Sequence, residues 1–176
     1  MDEIGIEIER QEPQYYEREE GDNIVFSANS GVFQGSISIM GIWFDWRIGK
    51  ALSAFPRKLP DEYSYEIGSN KPDNKSPYFS LRAYTRDNLG HTALQVTMNN
   101  KKDSPEDGEC CFSIVAERSA INRLGKLISE FSNEKYRLLK WSPKPDNDAL
   151  VEWEHPKLKP QKPKEEEPPL TFGSGV

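Results

Sequence analysis

Between residues 79 and 98 the apolar side chains fall on every second position, stop at a turn, and resume with the same period. Phe79, Leu81 and Ala83 alternate with Ser80, Arg82 and Tyr84, Asp87-Asn88-Leu89-Gly90 supplies turn chemistry, and Leu94, Val96 and Met98 alternate again. Only a strand puts every second residue on one side, so the stretch predicts an antiparallel hairpin with one buried face. After a polar loop from Asn99 to Gly108, Cys110 to Ala116 gives a third strand, with Phe112, Ile114 and Ala116 on one side, and the three should form a meander.

The same period recurs at the start, where Ile4, Ile6 and Ile8 alternate with Gly5, Glu7 and Glu9. Ile24-Val25-Phe26 and Val32 to Phe44 flank Asn29-Ser30-Gly31 and read as a second hairpin, with Gly35 and Gly41 marking bulges or close approaches. Ile48, Leu52 and Phe55 then take helical spacing up to Pro56, which predicts a short helix near 47–55. Tyr63 to Ile67 could add an exposed strand within a long connection. Ile121, Leu124, Leu127, Ile128 and Phe131 line one side of a helix over 119–132, with Ser119 at the N-cap, and this helix should pack on the sheet. Tyr136 to Trp141 and Ala149 to Trp153 read as two edge strands. The expected fold is α+β: mainly antiparallel sheet or sandwich, in a single domain over 1–155, followed by a disordered Pro/Lys/Glu-rich tail over 156–176.

Charge is segregated along the chain. Residues 1 to 23 hold nine acids against Arg10 and Arg18, a local net of −7, so the rest sums to +1 within a total of −6. A balance of this kind argues against direct nucleic-acid binding, which needs a basic surface to displace counterions. It suits a basic protein partner instead. No apolar run is long enough to cross a bilayer, and the acidic start Met1-Asp2-Glu3 carries no export signal, so no membrane partner and a cytoplasmic location are expected.

No phosphate-cradling glycine loop, nucleophile with its base, or spaced ligand set stands in the sequence, which predicts no metal, no cofactor and no catalytic residue. Cys110 and Cys111 are adjacent, so a disulfide between them would be strained and reduced thiols are expected. His91 could be held by Asp87 for acid-base work, although a histidine after a turn glycine more often fills the start of a strand. Trp43 and Trp46 could form a stacking platform for a carbohydrate or other small ligand, with ordinary core packing as the plainer reading. The partner-binding residues expected are Glu7, Glu9, Glu12, Tyr15, Tyr16, Glu17, Glu19, Glu20 and Asp22, because tyrosine among carboxylates makes an amphipathic contact surface across the polar segment 11–23.

The order of features over about residues 24–132 resembles a group of small bacterial immunity proteins, including those paired with cell-wall-associated contact-dependent toxins. The resemblance lies in Phe33-Gln34-Gly35, Ala51-Leu52-Ser53-Ala54-Phe55-Pro56-Arg57-Lys58-Leu59, Phe79-Ser80-Leu81, Leu89-Gly90-His91-Thr92-Ala93-Leu94-Gln95-Val96, and the strand from Cys111 followed by the helix to Phe131. It implies a non-catalytic module, with the Gly-His pair opening a central strand and the last helix packed on the sheet. The implied function is an antitoxin that neutralises a cognate protein toxin, a basic nuclease being one candidate, by covering its active site. The alternative is a β-sandwich module that binds a small ligand through Trp43 and Trp46.

Overall fold

The structure is a computed structural model describing residues 3–11 and 23–154, with Ile42 described in its backbone alone. Among the described residues nine strands and two α-helices follow one another as β1 (Gly5–Gln11), β2 (Asn23–Asn29), β3 (Gln34–Met40), α1 (Arg47–Ser53), β4 (Glu62–Ile67), β5 (Tyr78–Thr85), β6 (Thr92–Asn99), β7 (Glu109–Val115), α2 (Arg118–Phe131), β8 (Tyr136–Trp141) and β9 (Ala149–Glu152). They form two antiparallel sheets, one of five strands in the order β3-β2-β1-β8-β9 and one of four in the order β4-β5-β6-β7. The meander read from the sequence is therefore present, with β4 added at its edge.

Parity decides which side chains go inward. In the four-stranded sheet Leu81, Val96 and Phe112 share one cross-strand row, while Ala83, Leu94 and Ile114 share the next. These rows face Ile24, Phe26, Ile37 and Ile39 of the other sheet within one continuous core. Phe26 meets Phe79 with ring centroids 4.4 Å apart, the offset, tilted geometry aromatic pairs favour. Gly35 lies at a close approach of the two sheets, because a Cβ there would stand 2.6 Å from Cys110 Sγ. Its register with Ala28 is unbroken, so Gly35 marks a close approach rather than a bulge. At Gly41 the strand gives way to a 3-10 turn over Gly41–Trp43.

The helices cover the part of the five-stranded sheet that the second sheet leaves open. Ile121, Leu124, Ile128 and Phe131 of α2 are fully buried, and α2 lies against both α1 and β8. Where α1 and α2 cross there is space for hydrogen only: a Cβ on Gly49 would meet Gly125 O at 2.8 Å, and one on Gly125 would meet Ser53 N at 2.3 Å. Asn122 reaches from α2 to the end of α1, donating from Nδ2 to Phe55 O at 2.6 Å, just beyond the helix, and to Leu52 O at 2.9 Å, which also accepts from Phe55 N.

The short helix expected near 47–55 is present over Arg47–Ser53, and Phe55 and Pro56 stay buried beyond it. Two expectations need correction. Ser119 is not the N-cap; α2 starts at Arg118, after an extended Glu117 whose carbonyl already accepts from Ala120 N and Ile121 N. Strand β8 is not an edge. It pairs with β1 (Ile6 opposite Trp141) on one side and with β9 on the other, because Tyr136, Leu139 and Trp141 all need cover. The stretches 12–22 and 155–176, where the loop and the tail were expected, lie outside the described residues.

Candidate functional site

Strand β1 carries the described acids of the expected binding surface. Its even positions Ile6, Ile8 and Arg10 are buried, which turns Glu7 and Glu9 to the outer face of the five-stranded sheet. Lys140 stands directly opposite Glu7 on β8 and places Nζ 3.2 Å from its carboxylate. Glu9 meets Arg137 NH1 at 2.7 Å, beside a register irregularity between Tyr136 and Leu138. Both pairs are partly exposed, so each adds little stability, but each neutralises an acid that the sequence alone leaves bare.

At the other end of β1 the chain forms a recess of about 350 Å³, lined by Glu3, Ile4, Ile6, Glu7, Lys140, Trp141, Ser142 and Asn147. Asn147 donates from Nδ2 to Glu3 at 2.6 Å and ties the rim across the sequence. Ile6 and Trp141 are buried, and the rim offers two carboxylates, an ammonium and an amide. Both carboxylates are already engaged, Glu7 with Lys140 and Glu3 with Asn147. Beside it, Gly31 lies against Ile4, and the hairpin tip exposes Val32 and Phe33. Among the described residues no group of three or more His, Cys, Asp or Glu side chains is placed to hold a metal ion.

The remaining acidic and aromatic candidates, Glu12, Tyr15, Tyr16, Glu17, Glu19, Glu20 and Asp22, lie outside the described residues. Their attachment is defined, however. Gln11 and Asn23 are cross-strand partners, so the acidic run starts and finishes at one place on the sheet.

Trp43 and Trp46 have different surroundings. Trp43 is 45% exposed in the 3-10 turn. Trp46 packs against Phe44 (4.6 Å between centroids) and edge-on to Phe131 (5.7 Å), and the Arg10 guanidinium lies 4.7 Å from its ring. A ligand platform would therefore rest chiefly on Trp43, since Trp46 is half-buried and packs against the core.

Arg10 is a buried charge beneath this surface that sequence reasoning missed. It is 5% exposed, donates from NH2 to Phe131 O at 2.7 Å, and lies 4.8 Å from the Phe131 ring as well as against Trp46. A cation at the last carbonyls of α2 complements the helix dipole and the aromatic faces together. Its parity with Ile6 and Ile8 was the available signal.

His91 is exposed, and its Nδ1 lies 2.5 Å from Asp87 Oδ2. Asp87 Oδ1 also accepts from Leu89 N and His91 N. The hydrogen bond with the His91 side chain, followed by those with the backbone, holds the Asp87 carboxyl below its ordinary pKa. The pair clamps a turn. Cys110 and Cys111 are free thiols; burial raises the Cys110 pKa, while Cys111 is exposed and accepts from Thr97 Oγ1 at 3.3 Å.

Comparison with protein-family models, with curated proteins and with solved structures finds no significant match.

Proposed function

We propose that this chain is a non-catalytic protein-binding module, acting as an immunity protein that neutralises a cognate toxin by direct contact. The observation that carries the reading is the segregation of charge. A net of −7 over residues 1–23 belongs to a strand at the middle of a sheet and to a segment joined to that sheet at one cross-strand pair, Gln11 and Asn23. Glu7 and Glu9 spend much of their charge on Lys140 and Arg137, so the acids between Glu12 and Asp22 supply the long-range attraction to a basic partner. The recess at Glu3 and Glu7, with Ile4, Val32 and Phe33 beside it, offers apolar contact next to that charge.

The test is co-expression with the product of the neighbouring gene, scored by survival of the host and by co-purification at rising salt. Protection, with affinity that falls steeply as ionic strength rises, is the expected result. Charge reversal by Glu17→Lys, Glu19→Lys and Glu20→Lys should remove most of the salt dependence; unchanged affinity would refute the acidic surface. Conversion of a substrate by the purified chain would refute the non-catalytic reading altogether. The exposure of Trp43 favours a second reading, a small-ligand module, whose binding would ignore salt and disappear in Trp43→Ala.

A further inference from the structure

Among the described residues the two sheets end in the edge strands β3, β9, β4 and β7, and an edge presents backbone N–H and C=O groups to any strand that can pair with them. Proteins blunt such edges with charge, proline, irregular register or shortness. Here β4 carries Glu62 and Glu66, β7 carries Glu109, and β9 has four residues beside a register irregularity of β8. Strand β3 has none of these devices. It is seven residues long, holds no charge and no proline, and runs in unbroken register with β2.

The ladder fixes which groups of β3 face outward. Ser30 N donates to Phe33 O at 2.8 Å at the turn, so every second pair beyond it is hydrogen-bonded: Ala28 with Gly35, Phe26 with Ile37 and Ile24 with Ile39. Gln34, Ser36, Ser38 and Met40 therefore aim N–H and C=O away from β2, and no backbone group among the described residues answers them there. Ser36 and Ser38 have exposed side chains, while Ile37 and Ile39 are buried in the core.

We propose that this edge pairs with the same edge of a second copy of the chain, antiparallel, about a two-fold axis at Ile37. That register sets Ser36 of one copy against Ser38 of the other and Gln34 against Met40, the residues whose backbone groups point outward, and supplies about eight hydrogen bonds within one continuous sheet. Isoleucines stay on the inner side and serines on the outer, because the axis preserves parity, and no like charges meet. A two-fold axis at Ser64 of β4 would instead oppose Glu62 to Glu66. The flanks of β3 favour a copy over a foreign strand. Phe33, just before it, is 63% exposed and stacks 6.5 Å from Phe112 on one side; Trp43, just after it, is also exposed. The axis brings Phe33 of one copy to the Gly41–Trp43 turn of the other, opposite Gly41, where no side chain obstructs the ring. Each end of β3 thus covers an aromatic at the other end of its partner, and a foreign strand would have to supply both contacts. Where the pair forms, Phe33 is taken by the second copy, and the apolar contact beside the recess falls to Ile4 and Val32.

The test is sedimentation equilibrium of the full chain at rising concentration, up to about 100 µM. The wild type should form a dimer and nothing larger. Ser36→Lys/Ser38→Lys sets like charges opposite each other across the axis and should weaken dimerisation about tenfold with unchanged circular dichroism, since both side chains are exposed. Ser36→Lys/Ser38→Glu alters the same positions but opposes unlike charges in this register, and should dimerise at least as well as the wild type. A monomeric wild type, a dimer indifferent to the two lysines, or equal weakening by both variants would overturn the proposal. So would a monomer whose capture of the neighbouring gene's product is lost in Ser36→Lys/Ser38→Lys, which would assign the edge to a foreign strand.

Discussion

Replacing Gly125 by alanine should destabilise this protein, although the same change in an exposed helix adds stability. Alanine is favoured over glycine inside a helix by about 1 kcal/mol. Against that gain, the new methyl carbon would sit 2.3 Å from Ser53 N, 2.6 Å from Gly49 O and 2.7 Å from Ser53 Oγ. Two of those atoms are backbone, so no side-chain rotation relieves the clash, and α1 has to move off α2 by about 1 Å, a gap that forfeits a quarter to a half of each facing dispersion contact. Ile48, Leu52, Ile121, Leu124 and Ile128 are the buried side chains near that crossing. Overpacking costs about 1–3 kcal/mol, and two backbone contacts this short put Gly125→Ala at the upper end, which exceeds the propensity gain and sets the sign. Urea unfolding should show a lower midpoint with an unchanged slope. Gly49→Ala should behave alike, and the double variant should cost less than the sum, because one separation of the helices accommodates both methyls. A Gly125→Ala protein as stable as the parent would refute the close crossing.

Arg10→Met keeps the stem but removes the guanidinium from Phe131 O and from two aromatic faces, and should lower stability by about 2–3 kcal/mol; Arg10→Lys should recover little, since an ammonium cannot lie flat between Trp46 and Phe131. Asn122→Ala removes the side-chain donor to Phe55 O and to Leu52 O, which keeps Phe55 N, and should cost about 1–3 kcal/mol by thermal unfolding, without altering affinity for a basic partner. The Asp87 carboxyl is depressed in the folded state, so its contribution is present above the unfolded value and is lost as pH falls through the folded one. Asp87→Asn should accordingly flatten the decline of the urea midpoint below about pH 4, and an identical decline in both proteins would refute the clamp.

Much of the fold could be read from periodicity because strands and helices impose different repeats on their apolar residues. The β5–β6–β7 meander, the β2–β3 hairpin and the inward face of α2 all followed from local spacing. Partners distant in sequence did not. Nothing in Tyr136 to Trp141 announces that β1 is its neighbour, so local spacing alone reads β8 as an edge and the recess between the two strands has no sequence signature. The ion pairs of Glu7 and Glu9 were hidden for the same reason. Gly49 and Gly125 gave no warning either, because a glycine inside a helical pattern acquires meaning only when its opposite number is known. Arg10 was legible in principle: a charged residue on the parity of three isoleucines requires an inward partner.

The β1–β8 seam has a bearing on how the molecule is made. Because the middle strand of the larger sheet waits for residues 136–141, a nascent chain leaving the ribosome has β1 complete long before one of its two neighbours exists. The smaller sheet, drawn from 62–115, can assemble during synthesis before residues 136–141 are made, whereas the seam closes only after them. A chain released early, before Tyr136, would carry a half-covered β1 with an open backbone edge, the kind of surface that chaperones hold and that aggregates recruit.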